Sequence, residues 1–174
     1  MIAKVIVNIP SSNIDQLFDY LIPPEFCDFA SVGSRVRVPF GDANRQIMGF
    51  IIELKDESTY IGDLKEIIEV VDYEPVLTKE QLAIANFIKA DAICPLSRIL
   101  NLMIPDALKL KTKKFLTVVN FKDLDAELIQ LFEQNETILY KENFKKYDNR
   151  IAKEVKKGNI VIRYEALQTV KEKM

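Results

Sequence analysis

Residues 32–41, VGSRVRVPFG, leave this part of the chain few ways to fold. Val36 and Val38 fall on one side of an extended backbone and Arg35 and Arg37 on the other, the period of two that belongs to a strand with one buried face. Pro39 has no N–H to donate to a neighbouring strand. Phe40 adds an aromatic body, and Gly41 permits positive φ or the close approach of a ligand. The stretch predicts a strand with a basic outer face that runs into a tight turn with room beside it. Taken alone, the same residues also describe a surface strand with solvated arginines.

Similar segments flank it. Residues 2–9 are apolar and β-branched and read as a strand, and Pro10-Ser-Ser-Asn as a turn. Residues 17–23, LFDYLIP, alternate so that Phe18 and Tyr20 share one face while Leu17, Asp19 and Leu21 share the other. Asp19 either closes a turn or accepts a hydrogen bond from a ligand beside the flat surfaces of Phe18 and Tyr20. Residues 46–54 return as a strand with Gly49 as a bulge or bend. Residues 63–72 fit a strand or a helix by period, and their Ile and Val content favours a strand. Short strands joined by turns predict a small β-barrel or sandwich. Thr78 with Gln81 three residues later forms a capping box. It opens a helix whose apolar stripe is Leu82, Ala85, Ile88 and Ile93, and a second helix spans 97–103.

A boundary is expected after residue 107. Lysines at 109, 111, 113 and 114 give a basic linker, solvated or touching phosphates. Helices over 124–132, 138–147 and 150–157 followed by a strand pair, with a strand read over 160–164, predict a winged helix. Its third helix carries Arg150, Lys153, Lys156 and Lys157. The expected class is α+β: a small, mostly β, barrel-like first domain and a winged-helix domain over 108–174.

Composition narrows the chemistry. The chain has 174 residues, 48% hydrophobic and 29% charged, which suits one globular domain or two small ones. No apolar run is long enough to span a bilayer, and the start lacks the basic lead of a signal peptide, so a cytoplasmic location is expected. There is no histidine, and Cys27 and Cys94 stand far apart, which removes His-based triads and a zinc site of the chain's own Cys and His. No GxxxxGK[ST] phosphate loop occurs. A net charge of −2 argues against indiscriminate nucleic-acid binding, though phosphate contacts need only local positive charge. The residues do not read as an enzyme.

Four strings in series, FDYLIP, VGSRVRVPFG, LKEIIEVVDYEPVLTKEQL and CPLSRIL, resemble the N-terminal part of the primosomal protein N′ (PriA) replication-restart helicase family. The resemblance implies a 3′-DNA-binding domain that takes the 3′-OH end of the nascent leading strand at a stalled fork. It implies an end-binding pocket of Phe18, Asp19, Gly41 and Lys65, with further DNA contacts at Tyr20, Arg35, Arg37, Arg150 and Lys153. The family's ATP and zinc sites lie further along, so neither cofactor is expected in these residues. Single-strand-binding protein and primosome proteins are its implied partners, mostly through later domains, and no membrane is implied. Asp42 after PFG, Asp91-Ala92, Ser97 and the Asp15-Gln16-Leu17 lead-in depart from the family's pattern. The competing expectation is a protein-interaction module that docks primosome or other partners without end-specific DNA binding.

Overall fold

The computed structural model describes residues 1–9, 15–58, 60–92, 94–105, 112–133 and 135–166. The turn at 10–13, Ile93, Lys109 and Lys111 lie outside them. The chain divides into two compact units, Met1–Ile104 and Pro105–Met174.

In the first unit five strands form one antiparallel sheet: β1 (Ile2–Val7), β2 (Leu17–Leu21), β3 (Arg35–Phe40), β4 (Arg45–Lys55) and β5 (Glu69–Val70), in the order β2-β1-β4-β3-β5. Strand β1 is apolar at every position but Lys4 and lies between β2 and β4. Val36 and Val38 are fully buried, as their alternation requires. Arg35 departs from that alternation. Its guanidinium turns to Asp72, with Nε and one terminal nitrogen each 2.7 Å from a carboxylate oxygen, and both side chains are largely buried. Two parallel N–H···O bonds satisfy the buried carboxylate, and this geometry is what makes a buried arginine tolerable. Arg37 stays at the surface, 3.4 Å from Glu69.

The sheet does not close into the expected barrel. Among the described residues its edges are linked by the segment that follows β4. There Leu21 N–H donates to the Lys65 carbonyl and Ile67 N–H donates to the Leu21 carbonyl, both at 2.9 Å. The next residues change partner, with Ile68 and Val71 donating to the Arg37 and Arg35 carbonyls. A ladder needs continuous register with one neighbour, so the strand expected over 63–72 shrinks to the two residues of β5. The irregularity expected at Gly49 also lies elsewhere. The β1–β4 register shifts between Lys4 and Val5, opposite Glu53 and Ile51, so Ile52 is the extra residue.

Helix α1 (Lys79–Asp91) begins with the predicted box: Thr78 Oγ1 accepts from Gln81 N–H, and Gln81 Oε1 accepts from Thr78 N–H. Leu82 and Ala85 are buried; Ile88 is exposed. Helix α2 (Leu96–Met103) follows Pro95, which offers no side-chain cap. Asp15, distant in sequence, supplies one: its Oδ1 accepts from Leu96 N–H at 2.9 Å and its Oδ2 meets Lys89 Nζ at 2.7 Å. A carboxylate satisfying the first free N–H groups stabilises a helix start. The lead-in residue that breaks the family's pattern thus ties β2 to both helices.

The second unit holds β6 (Thr112–Val118), α3 (Ala126–Phe132), β7 (Thr137–Leu139), α4 (Asp148–Lys156) and β8 (Ile160–Ala166), with an antiparallel sheet ordered β7-β6-β8. This order is not the expected run of three helices followed by a strand pair. A strand opens the unit where a linker was expected. Ile138 lies in β7, and residues 142–147 form a 3₁₀ turn that leads into α4. Leu116, Val118, Leu128, Phe132, Ile151 and Ile160 make the core. Gly158, at φ +80°, ends α4: its N–H bonds the Val155 carbonyl and Asn159 N–H bonds the Glu154 carbonyl. The Glu154 carboxylate accepts from Lys157 Nζ at 2.6 Å and Asn159 Nδ2 at 2.7 Å. Burial pushes its pKa up, but these two bonds and the Lys157 charge outweigh burial and hold it below the ordinary carboxylate value.

Candidate functional site

Strand β2, the β3–β4 turn and the segment after β4 enclose a pocket of about 630 Å³. Phe18, Asp19 and Tyr20 come from β2, Pro39, Phe40 and Gly41 from the end of β3, and Tyr60, Asp63, Leu64 and Lys65 from the later segment. The four pocket residues implied by the family resemblance, Phe18, Asp19, Gly41 and Lys65, therefore share one cavity although they span 48 positions of sequence (65 − 18 + 1).

The aromatic wall is a perpendicular pair. Phe18 and Phe40 have ring centroids 5.1 Å apart at 85°, so one ring braces the other edge-to-face. Tyr20 backs this wall. It is only 4% exposed and its hydroxyl donates to the Pro39 carbonyl at 3.1 Å, so it supports the pocket and offers no open face for stacking. Gly41 takes φ +67°, and a Cβ there would meet nothing within 4 Å, so the space beside the turn is open. Its carbonyl accepts from Asn44 N–H at 3.2 Å and from Lys65 Nζ at 2.8 Å. The turn thereby fixes the Lys65 ammonium at the rim with protons left to donate.

Burial pushes the Tyr20 phenol up to about 12 from its ordinary 10.0. Above about pH 10 the unfolded chain releases this proton while the folded chain keeps it, so stability falls as pH rises toward about 12. Urea denaturation across this window is expected to show the decline, and Tyr20→Phe is expected to flatten it. An equal slope in both proteins would show that other groups cause it.

Lys4, Gln16, Tyr60, Asp63 and Leu64 line the pocket without having emerged as site residues from sequence reasoning. Lys4 stands directly across β1–β2 from Asp19, a placement visible only once the strand register is known. Tyr60 presents an aromatic ring that is 62% exposed. Asp63 brings a second carboxylate, so the pocket's charges balance: Lys4 and Lys65 against Asp19 and Asp63. Leu64 adds apolar surface. Just behind the lining, Ser58 hydrogen-bonds the Asp19 carboxylate. Arg35 and Arg37 do not line the pocket. Arg150 and Lys153 belong to the second unit, where Arg150 pairs with Glu127 at 2.7 Å and lies 3.7 Å from Asp125. No group of His, Cys, Asp and Glu among the described residues is arranged to hold a metal, and no described helix is long and apolar enough to cross a membrane.

Paired aromatic rings, two carboxylates and two ammonium groups around an open pocket are the features of a binding domain. Residues 4–105 match the model of the PriA 3′ DNA-binding domain (3′BD), and the chain belongs to that family. Over 178 aligned residues it is 34% identical to the replication restart protein PriA of Bacillus subtilis (strain 168), covering 99% of this chain and 21% of that protein. It is 37% identical over 93 residues to a probable replication restart protein PriA of Mycobacterium tuberculosis (strain CDC 1551 / Oshkosh), covering 53% and 14%. Over 107 residues it is 31% identical to the replication restart protein PriA of Chlamydia muridarum, covering 59% and 14%. The chain thus spans about a fifth or less of the length of these relatives.

Proposed function

We propose that this chain binds the free 3′-hydroxyl end of a DNA strand during replication restart, contributing recognition and no catalysis of its own. One observation carries the reading: Asp19 sits in the same pocket as the Phe18–Phe40 wall and the Lys65 ammonium. A 3′ terminus offers a hydroxyl where an internal nucleotide offers a phosphodiester. The carboxylate accepts from the hydroxyl and repels a phosphate in its place, so a single group selects ends by attraction and by repulsion. Phe18 stacks on the terminal base without reading its identity, as any-sequence binding requires. Lys65, and Lys4 opposite Asp19, take the phosphate on the 5′ side.

In this reading the longer protein supplies the helicase activity together with its ATP and zinc sites. Primosome and single-strand-binding proteins reach it mainly through those other parts. The second unit's role in DNA contact, through Arg150 and Lys153, and its winged-helix character belong to the same proposal.

Fluorescence anisotropy with one short oligonucleotide, ended by 3′-OH or by 3′-phosphate at matched salt, tests the reading. Tighter binding of the hydroxyl form by about ten- to hundred-fold is expected, the equivalent of one charge-assisted hydrogen bond. Equal binding would sink it. A second reading, docking of a protein partner, draws on the exposed Ile84, Phe87 and Ile88 of α1, three and four residues apart on one helix face. It gains if neither oligonucleotide binds.

A further inference from the structure

We propose that Ser58 is a positioning residue that sets the hydroxyl selectivity of the pocket by orienting the Asp19 carboxylate; the proposal rests on the end-binding reading above. Ser58 lies in the loop after β4, half-buried beside the pocket. A serine hydroxyl has one proton and two lone pairs. Tyr60 N–H donates to Ser58 Oγ at 2.9 Å, which uses a lone pair. The hydroxyl proton is then directed to Asp19 Oδ2. An ionised carboxylate can only accept, so the chain of bonds runs one way, from Tyr60 N–H to Ser58 to Asp19.

The consequence lies in which oxygen remains. With Oδ2 engaged, Asp19 Oδ1 has no hydrogen-bond partner among the described residues, and Asp19 is part of the cavity lining. The last torsion of an aspartate is broad and close to two-fold, so an untethered carboxylate samples many orientations. The β1–β2 register already fixes the backbone of Asp19 opposite Lys4. Ser58 removes the freedom that remains, and a site held by such supporting bonds binds without first having to order itself. The same serine couples selectivity to the pocket wall, because its other partner is the backbone of Tyr60.

A residue that only shaped the loop would, when altered, weaken every ligand alike. A residue that orients Asp19 affects the hydroxyl end selectively, because the carboxylate charge that repels a phosphate stays in place. The experiment is anisotropy on the full chain with the 3′-OH and 3′-phosphate oligonucleotides, for the unaltered protein, Ser58→Ala and Ser58→Thr. For Ser58→Ala the Kd of the hydroxyl end is expected to rise about ten-fold, with that of the phosphate end unchanged. Ser58→Thr, which keeps a hydroxyl, is expected to restore the preference. The proposal is overturned if Ser58→Ala weakens both ends equally, if it changes neither, or if Ser58→Thr behaves like alanine. Should the unaltered chain itself fail to distinguish the ends, the end-binding reading fails and Ser58 loses its role with it. A preference in the unaltered chain that survives in Ser58→Ala removes Ser58 alone. The position is in a half-exposed loop outside the sheet, so thermal melts of both variants are expected to overlay that of the unaltered chain.

Discussion

Asp19→Asn is expected to abolish the preference for a 3′-hydroxyl end while leaving a salt-sensitive affinity for single-stranded DNA. Asparagine has nearly the same shape and keeps a carbonyl that accepts from Ser58. The substitution removes the charge without emptying the site. Two effects then add. The hydrogen bond from the terminal hydroxyl drops from charge-assisted to neutral, roughly halving its strength. The repulsion of a terminal phosphate vanishes, which leaves Lys4 and Lys65 on the pocket wall opposed only by Asp63. Affinity for the hydroxyl end falls and affinity for the phosphate end rises, so a ratio of about ten- to hundred-fold collapses to near one or inverts. The salt slope reports how many phosphates are neutralised and is expected to change little, since neither lysine is touched. Asp19→Ala is expected to give the same loss of discrimination. A variant that keeps its discrimination would reduce Asp19 to a structural acid that anchors the loop at Ser58.

The parts of this site legible in the sequence are those whose chemistry is local. Phe18, Asp19 and Tyr20 are neighbours on a strand and Gly41 follows another, so alternation and turn chemistry single them out, while their grouping with Lys65 in one pocket is what the family resemblance implies. Lys4 and Ser58 carry no such signal. Lys4 gains meaning only from its register opposite Asp19, and Ser58 only from a loop that folds back onto β2. Arg35 shows the opposite failure. Alternation points it outward, yet Asp72, 37 positions later, draws it into a buried pair. Periodicity reports what a segment prefers by itself, and one well-formed tertiary bond pair outweighs that preference.

The opening strand of the second unit escapes sequence reading for a related reason. Its lysines suggested a linker, although in TKKFLTV the side chains of Leu116 and Val118 alternate inward with the period of a strand. Charge obscured pattern. Lys114 lies over the ring of Tyr140, 4.6 Å from its centroid, so even this charge is used in packing. Barrel closure could not be read at all. It depends on whether the segment at 65–67 continues along β2 or transfers to β3, and no local feature of those residues decides between the two.

Gly33→Ala is expected to cost more stability than any exposed substitution in the first unit, and comparison with Gly41→Ala isolates the cause. Both glycines lie in residues 32–41 and both have positive φ, +92° and +67°. For an L-residue that conformation costs about 1–2 kcal/mol by itself. At Gly41 this is the whole penalty, because a Cβ meets nothing within 4 Å. At Gly33 a Cβ would lie 1.9 Å from the Leu77 carbonyl oxygen and 2.9 Å from its carbon. The obstacle is backbone, and it cannot withdraw without loss. Gly33 N–H donates to the Ile51 carbonyl at 2.8 Å and its carbonyl accepts from Leu77 N–H at 3.3 Å, which joins β4 to the segment entering α1. Ile51 and Leu77 are both core residues. Relieving the clash pulls Leu77 out of its packing, so a loss of about 3 kcal/mol or more is expected, against about 1–2 for Gly41→Ala. For a unit of this size that lowers the midpoint of thermal unfolding by more than about 10 °C. Circular dichroism melts of the two variants measure the difference. Equal losses would mean that φ alone governs both positions and that the approach of Leu77 to Gly33 does not constrain the fold.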